Sequence, residues 1–230
     1  MLTQLIKNIS SICVIVCSRP APPITNLTFQ SSGFFCGNQG HVVTCAHGLD
    51  ITKELFVGIS PDINSFHKTQ NRTFEFIPAT IVQHDPINDI ALLKISSPPI
   101  VSTPPASHIT LSEIGVDVGT SAIYLGYPFA TKGLQVMKVS STIISAKSLN
   151  ENETRQLVLD STVNDGNSGG PLIDVSTGKI IGIVAGRHAP GGAEPVAWIG
   201  GIPLGQDSNI SYATGISYAL ELLKSEGAHD

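Results

Sequence analysis

Short apolar runs separated by turn-forming residues are the dominant pattern along this chain. The runs are rich in valine, isoleucine, threonine and phenylalanine, which favour strands, and glycine, proline, asparagine and aspartate fall between them. They predict twelve strands, at residues 12–17, 33–36, 41–45, 55–59, 74–84, 90–95, 121–126, 136–145, 156–161, 169–174, 180–186 and 212–216. Many short strands with such punctuation are typical of a sandwich or of barrels, so the predicted fold class is all-β.

Helical spacing of apolar residues is confined to the two ends of the chain. LTQLIKNI (residues 2–9) predicts a short amphipathic helix before the strand ICVIVCS, and SYALELLKSE (residues 217–226) predicts a closing helix with Ser217 as its N-cap. A secretory leader is the alternative for the first stretch, but its apolar run is short and SRP is a poor cleavage site. No run approaches the roughly 18 apolar residues of a membrane span.

A proline-rich segment divides the chain into two β halves. SSPPIVSTPPASH (residues 96–108) has four prolines within eight residues, which excludes a central strand or a helix interior. We therefore predict one domain of residues 1–230, with an N-terminal half at about 10–100, this link at about 96–108, and a C-terminal half with its closing helix at about 109–226. A chain of 230 residues is long enough to bury a sizeable core.

Composition and charge exclude several classes of function. Hydrophobic residues make up 41 % and charged residues 13 % of the chain, which argues against disorder. The net charge is −5 and the 13 basic residues are scattered, so no nucleic-acid partner is expected.

The cysteines and the remaining histidines give no sign of a metal. Four reduced, buried thiols are expected, because a chain this long needs no disulfide staples; they are Cys13, Cys17, Cys36 and Cys45. No cysteine or histidine spacing suggests zinc, and no cofactor is predicted. Five histidines are expected at the surface or in turns: His41, His67, His84, His108 and His188.

Three segments together favour hydrolytic chemistry. GHVVTCAHGL places His47 at the end of a strand, NDIALLKI places Asp89 at the start of one, and NDGNSGGPLID places Ser168 in a glycine-rich turn. A serine hydroxyl is a weak nucleophile and needs a base, histidine titrates near neutral pH, and a carboxylate on the other ring nitrogen fixes the tautomer. The backbone N–H groups of Gly166 and Ser168 are then expected to form the oxyanion hole, where a Cβ at Gly166 would obstruct the approach.

These segments resemble the trypsin-like serine proteases, and most of all the protease domain of the HtrA/Deg family. The resemblance covers nearly the whole chain: SSGFFCGNQGHVVTCAHG, ATIVQHDPINDIALLKI, GYPF, LDSTVNDGNSGGPLID, KIIGIVAG and ATGISYALELL follow one another in the family's order. It implies two antiparallel six-stranded β-barrels with the active site between them. It also implies a serine endopeptidase with His47, Asp89 and Ser168 as its triad.

Departures from these families change what the resemblance implies. Asp165 stands where HtrA proteases commonly have proline, and Asn167 stands where digestive trypsins have the aspartate that pairs with a newly cut N-terminus. No activation site is visible, and no segment follows Asp230 for a PDZ module. Gly48 replaces the cysteine that follows the catalytic histidine in trypsins, which favours a cytoplasmic or other reducing compartment over secretion.

The resemblance also locates the specificity pocket. Its expected walls are Thr162, Val163 and Asn164 on one side and Val184, Ala185, Gly186 and Arg187 on the other. No aspartate occupies the trypsin position, so a small or medium apolar residue is expected before the scissile bond. Arg187 is expected to be exposed, because no carboxylate nearby in sequence pairs with it; a buried Arg187 would instead favour acidic substrates.

We therefore expect a serine endopeptidase that acts on polypeptides through an acyl-enzyme. An inactive binding or scaffold protein on the same fold, and a secreted protease with a cleaved leader, are the alternatives. The long segment 188–209, which holds the only tryptophan, is interpreted as a packed surface loop, with a regulatory loop or a self-association surface as its other interpretations.

Overall fold

The computed structural model describes residues 2–20, 26–37, 40–60, 63–69, 74–98, 110–188, 197–199, 202–204 and 208–228. Within them the strands form two closed six-stranded antiparallel barrels, as the resemblance implied. A short helix lies near each end of the chain, α1 (Leu2–Ile9) and α2 (Ser217–Ser225). Neither helix has the length and apolar character that crossing a membrane requires.

The first barrel contains the first six strands. They are β1 (Cys13–Ser18), β2 (Thr28–Cys36), β3 (His41–Thr44), β4 (Leu55–Ile59), β5 (Glu75–Asp85) and β6 (Ile90–Ile95). Their order around the barrel is β1-β2-β3-β6-β5-β4, and β1 closes it by pairing with both β2 and β4. The N-terminal stretch ICVIVCS is therefore a barrel strand, as its pattern predicted.

The second barrel contains six of the remaining eight strands. They are β7 (Ser121–Gly126), β8 (Lys138–Leu149), β9 (Arg155–Asp160), β10 (Pro171–Asp174), β11 (Ile180–Arg187) and β14 (Ile210–Gly215). The order around this barrel is β10-β11-β14-β9-β8-β7. The other two strands, β12 (Ala197–Ile199) and β13 (Ile202–Leu204), form a separate hairpin.

Burial follows the strand patterns and joins the two barrels. In β5, buried Ile77 and Ala79 alternate with exposed neighbours, as expected of a strand with one face in the core. All six residues of β1 are buried, and the first five of them share one apolar cluster with Ile123 and Ile173 of the second barrel. A continuous core therefore holds the barrels together and fixes the cleft between them.

The structure corrects several details of the sequence interpretation. Strand β2 begins five residues earlier than predicted, and β8 extends to Leu149. The hairpin β12–β13 lies within segment 188–209, which we had interpreted as a loop. Most of the proline-rich link at 96–108 lies outside the described residues, so the proposed domain boundaries stay a prediction.

Two polar residues also differ from expectation. Ser217 is not the N-cap of α2; it is the first helical residue, and its N–H and hydroxyl both bond to the carboxylate of Glu113. The Glu113 carboxylate thus caps the helix, because it accepts an N–H of the first turn that has no partner within the helix. His41 is buried in β3 rather than exposed, and His108 lies outside the described residues.

Candidate active site

His47 and Asp89 lie side by side because the strands that carry them pair. The end of β3 pairs with the start of β6, with Thr44 opposite Ala91. His47 follows β3 and Asp89 precedes β6. The Asp89 carboxylate accepts two hydrogen bonds from His47, one from Nδ1–H at 2.7 Å and one from the backbone N–H at 2.8 Å. Both the position and the tautomer of the imidazole are thereby fixed.

Asp89 adopts a backbone conformation that few residues tolerate. Its φ is +59°, in the left-handed region, where aspartate and asparagine are the side chains that occur most readily after glycine. The preceding turn is held by Asp85, whose carboxylate accepts the N–H groups of Ile87 and Asn88 at 3.1 Å. This turn presents the Asp89 carboxylate to His47.

The electrostatics of the pair favour a charged imidazole. The hydrogen bond to Asp89 and a weaker contact with Cys45 raise the pKa of His47 to about 10, although partial burial opposes the shift. Cys45 Sγ lies 4.0 Å from His47 Nε2. An imidazolium at this position is therefore stabilised as soon as a proton reaches Nε2.

Ser168 lies in a turn of the second barrel that packs against the first. Its carbonyl accepts the N–H of Ser32 in β2 at 2.9 Å. The next residue, Gly169, has φ +87°, and a Cβ there would lie 2.1 Å from the Ser32 carbonyl oxygen and 2.4 Å from Thr44 Oγ1. Glycine is thus required for the turn to approach the end of β3, from which the chain continues to His47.

The His47–Asp89 pair and the Ser168 turn are adjacent, but no hydrogen bond joins Ser168 Oγ to His47 within the part of the chain that the structure describes. Catalytic hydrogen bonds are often long in ligand-free enzymes and tighten when substrate binds.

The expected oxyanion turn is a tight turn from Asn164 to Asn167. The Asn167 N–H donates to the Asn164 carbonyl at 3.0 Å, and Gly166 has φ +96°. The Asp165 carbonyl accepts the Phe129 N–H at 2.8 Å, so the Gly166 N–H, on the opposite side of that planar peptide, points away from Phe129. Among the described residues, none accepts the N–H of Gly166 or of Ser168.

The predicted pocket residues lie on two segments, and a buried serine holds the first of them. Ser211 of β14 donates its hydroxyl to the Ser161 carbonyl at 2.7 Å and accepts the Val163 N–H at 2.9 Å. The Thr162 carbonyl accepts the Tyr124 hydroxyl at 3.2 Å. Ser211 was not found from the sequence, because a single serine inside an apolar strand gives no signal of the segment that it holds.

The facing wall belongs to β11. Val184 is buried, and Ala185 and Gly186 are half-buried. A Cβ at Gly186 would meet no heavy atom within 4 Å, so this part of the strand has open space beside it. Asn164 lies half-buried at the start of the oxyanion turn.

Arg187 differs from its expected environment. Its side chain is only 27 % exposed, and Nη2 lies 4.0 Å from Oδ1 of Asp165, whose side chain is 64 % exposed. The guanidinium is therefore half-buried rather than exposed as expected, and a carboxylate lies beside it. Asp165 is 22 positions away in sequence, so the expectation that no carboxylate nearby in sequence pairs with Arg187 is not contradicted.

The described residues contain no cluster of three or more histidine, cysteine, aspartate or glutamate side chains that could hold a metal ion. We assign no residue to a cofactor.

Comparison with known proteins identifies the family. Residues 31–183, a segment that includes His47, Asp89 and Ser168, match the sequence profile of the trypsin-like peptidase domain. The chain is 34 % identical over 167 residues to the magnetosome formation protease MamE of Paramagnetospirillum magneticum, which covers 70 % of this chain and 20 % of that protein. It is 31 % identical over 172 residues to the "Probable periplasmic serine endoprotease DegP-like" of Chlamydia pneumoniae, covering 72 % and 30 %. The chain thus spans less than a third of either relative.

A solved structure supports the fold. The HtrA-type protease AlgW with a decapeptide superimposes with a TM-score of 0.72 at 20 % identity, covering 98 % of this chain and 67 % of that one. At 20 % identity, this likeness is evidence for a shared two-barrel fold alone.

The comparisons contradict the expected compartment. We expected a cytoplasmic or other reducing location, but the Chlamydia pneumoniae relative is named as periplasmic. That expectation rested on Gly48, which replaces a cysteine of the trypsins; the four cysteines of this chain are buried free thiols. Burial raises the pKa of Cys17 to about 12 and raises the pKa values of Cys13 and Cys36 as well. Protonated, shielded thiols resist oxidation in any compartment, so they carry no information about location.

Both the profile match over more than half of the sequence and the two-barrel fold lead to the same assignment. This chain belongs to the trypsin-like peptidase family and resembles its HtrA-type proteases.

Proposed function

We propose that this chain is a serine endopeptidase that hydrolyses peptide bonds of polypeptide substrates through an acyl-enzyme. The observation that carries the proposal is the pair of hydrogen bonds from His47 to one carboxylate, at the end of the barrel against which the Ser168 turn packs. When the imidazole is neutral, a carboxylate bound to Nδ1–H leaves Nε2 free to take a proton. His47, Asp89 and Ser168 are the proposed triad.

Acylation begins with attack of Ser168 Oγ on the carbonyl carbon of the scissile bond. The hydroxyl proton passes to His47 Nε2 as the new C–O bond forms, and the carbonyl electron pair moves to its oxygen. Asp89 stabilises the resulting imidazolium. Collapse of the tetrahedral intermediate breaks the C–N bond, and the imidazolium proton goes to the leaving amine.

Deacylation repeats these steps with water. His47 takes a proton from the water as its oxygen attacks the ester carbon, and then returns that proton to Ser168 Oγ as the ester bond breaks. The C-terminal fragment of the substrate, with its new amino group, leaves after acylation. The N-terminal fragment, with its new carboxyl group, leaves after deacylation.

The N–H groups of Gly166 and Ser168 are the proposed donors to the oxyanion. Two observations support this assignment. Neither group donates to any other described residue, and Phe129 holds the Asp165 carbonyl so that the Gly166 N–H is directed the opposite way. Donors that are already oriented need no reorganisation when charge develops on the substrate oxygen.

The substrate is proposed to bind as an extended strand along Val184, Ala185 and Gly186. The open space beside Gly186 supports this placement. A small or medium apolar residue is proposed before the scissile bond, with Thr162, Val163 and Asn164 forming the other wall. This preference is supported by the position of Arg187, whose Nη2 lies 4.0 Å from Oδ1 of Asp165, so a carboxylate of the chain itself offsets part of its charge.

We further propose that residues 1–230 act as one peptidase domain, and that it works outside the cytoplasm, as the name of the Chlamydia pneumoniae relative suggests.

The proposal is tested by active-site labelling. The protein is incubated with a fluorophosphonate, which phosphonylates an activated serine, and the adduct is mapped by mass spectrometry. We expect a single adduct on Ser168 and none after heat denaturation, together with cleavage of a peptide library after small apolar residues. A native protein without an adduct, or with its adduct on another serine, would contradict the proposal and favour an inactive binding protein.

A further inference from the structure

Ser32 of β2 connects both barrels to the turn that carries the proposed nucleophile. It is fully buried, and all of its polar groups are hydrogen-bonded. Its N–H donates to the Ser168 carbonyl at 2.9 Å, and its carbonyl accepts Thr44 Oγ1–H at 2.6 Å. Its hydroxyl donates to the Gly166 carbonyl at 2.6 Å and accepts the Tyr127 N–H at 3.0 Å.

These contacts attach one residue of the first barrel to two carbonyls of the catalytic turn. Nothing else among the described side chains bonds to the Gly166 carbonyl. The Ser32 hydroxyl therefore links the backbone of Tyr127, just after β7, to the Gly166 carbonyl in the proposed oxyanion turn.

We propose that Ser32 is a positioning residue that fixes the orientation of the oxyanion donor at Gly166. Glycine populates positive and negative φ almost equally, so the two peptides that flank Gly166 have no intrinsic preference for the orientation observed. The peptide before Gly166 is held by Phe129, through the Asp165 carbonyl, and the peptide after it is held by Ser32. With both peptides held, the Gly166 N–H keeps one direction.

This inference rests on the proposed function, and it concerns the chemical step rather than substrate binding. Removal of one oxyanion donor typically lowers kcat by about 10²–10³-fold. Loss of the Ser32 hydroxyl leaves the donor in place but loosens its orientation, because the Gly166 carbonyl and the Tyr127 N–H each lose one hydrogen bond. We therefore expect a smaller fall in kcat, of about 10–100-fold, with KM changed by less than about 3-fold.

The chain provides a matched control at the preceding position. Ser31 is also buried in β2, and its hydroxyl bonds to Thr44 Oγ1 at 2.8 Å, but it makes no contact with the oxyanion turn. Ser31→Ala and Ser32→Ala each remove one buried hydroxyl from the same strand. Both are expected to lower the melting temperature, and only Ser32→Ala is expected to lower kcat.

The experiment measures kcat, KM and inhibition for the full chain and both variants. The inhibitor is a peptidyl aldehyde, which forms a tetrahedral adduct with an oxyanion, and the reference is the matching peptidyl alcohol, which forms none. Ser32→Ala should weaken aldehyde binding by the same factor as kcat and leave alcohol binding unchanged. If Ser32→Ala does not fold, Ser32→Cys keeps a side chain there with a weaker donor, and its kcat should lie below that of the unchanged protein.

The outcomes separate this inference from the proposed function. Equal kcat values for Ser31→Ala and Ser32→Ala, or full kcat for Ser32→Cys, would overturn the role of Ser32 while the activity of the unchanged protein stands. An unchanged protein that neither cleaves peptides nor reacts with a fluorophosphonate would overturn the proposed function and this inference with it.

Discussion

The two halves of the candidate site are held in opposite ways. On the first barrel, the functional groups bond directly to each other, because both His47 donors reach one carboxylate. On the second barrel, the turn of Ser168 is held by its carbonyls, while its N–H groups at Gly166 and Ser168 donate to no described residue. The base half thus has its hydrogen bonds in place without a ligand, whereas the nucleophile half has two N–H groups with no acceptor among the described residues.

Both halves contain residues with positive φ, but only in the base half does such a residue carry a side chain. Asp89 has positive φ, yet it carries a side chain, and that side chain accepts both hydrogen bonds from His47. Gly166 and Gly169 have positive φ, and a Cβ at either would lie within 2.5 Å of a backbone carbonyl oxygen. The base half therefore depends on the contact between the His47 and Asp89 side chains. The nucleophile half depends on the glycines that flank Ser168, because a side chain at Gly166 or Gly169 would prevent the close packing of the turn.

The largest expected effect is at the nucleophile itself. Ser168→Ala should abolish fluorophosphonate labelling and peptide cleavage, because no other group can form the acyl-enzyme. Its melting temperature should stay nearly unchanged, since the half-buried hydroxyl makes no hydrogen bond with another described residue. Labelling and a thermal melt check both parts, with Ser121→Ala, an exposed hydroxyl at the start of β7, as the control. Labelling of Ser168→Ala at the parental rate would remove Ser168 from the site.

The next largest effect is expected where the base half is broken. Asp89→Asn should lower kcat by roughly 10⁴-fold, because an amide favours the wrong tautomer of His47. Asparagine tolerates left-handed φ as aspartate does, so the fold should persist.

The pH profile of Asp89→Asn sharpens this test. The base must be neutral to accept a proton, so kcat/KM should rise with pH through the pKa of His47, which the carboxylate raises above its ordinary value. Without the carboxylate that pKa falls, and the acidic limb should shift to lower pH while the plateau drops. A limb that stays in place would show that Asp89 does not control His47.

The features that the sequence predicted depend on local signals, and most of those that it missed depend on contacts between distant residues. All twelve barrel strands were predicted, because alternating burial and turn residues are local signals. The His47–Asp89 pair was also foreseen, since each residue lies at the end of a recognisable strand. Hairpin β12–β13 was missed because glycine and proline surround it. The early part of β2 was missed because its buried residues include two serines.

The missed residues of the site share one property, which is that their contacts span long stretches of chain. Ser32 bonds to Gly166 across 134 positions, and the hydroxyl that orders the pocket segment at Ser161 comes from Ser211, 50 positions away. A serine inside a strand gives no pattern that names such a partner. Two consecutive serines within an apolar strand are the signal that could have led to Ser32, because buried hydroxyls need partners.

A smaller effect is expected from adding one methyl group to the nucleophile half. Gly166→Ala should lower the rate of labelling by about 10²–10³-fold, because the new Cβ would lie 2.5 Å from the Tyr127 carbonyl and the turn must rearrange. Gly119→Ala is the matched control: its φ is +94°, against +96° at Gly166, and a Cβ there meets no heavy atom within 4 Å. Both variants carry the left-handed backbone penalty of about 1–2 kcal/mol, and only the first should lose activity. Equal labelling of the two variants would show that the Gly166 turn does not matter for catalysis.

The smallest effect is expected at the charge pair beside the nucleophile half. Arg187 Nη2 lies 4.0 Å from Asp165 Oδ1, and an ion pair at this distance with a mostly exposed carboxylate contributes little free energy. Arg187→Ala removes a positive charge beside Asp165, which should favour basic substrate side chains near the scissile bond by up to about 5-fold, whereas Asp165→Asn removes a negative charge beside Arg187, which should favour acidic ones to a similar extent. Both shifts should shrink in high salt, and the preference for a small apolar residue before the scissile bond should persist in both variants. Peptide-library profiles at low and high salt measure this, and an unchanged protein that selects acidic residues at that position would mean that Arg187 binds substrate rather than Asp165.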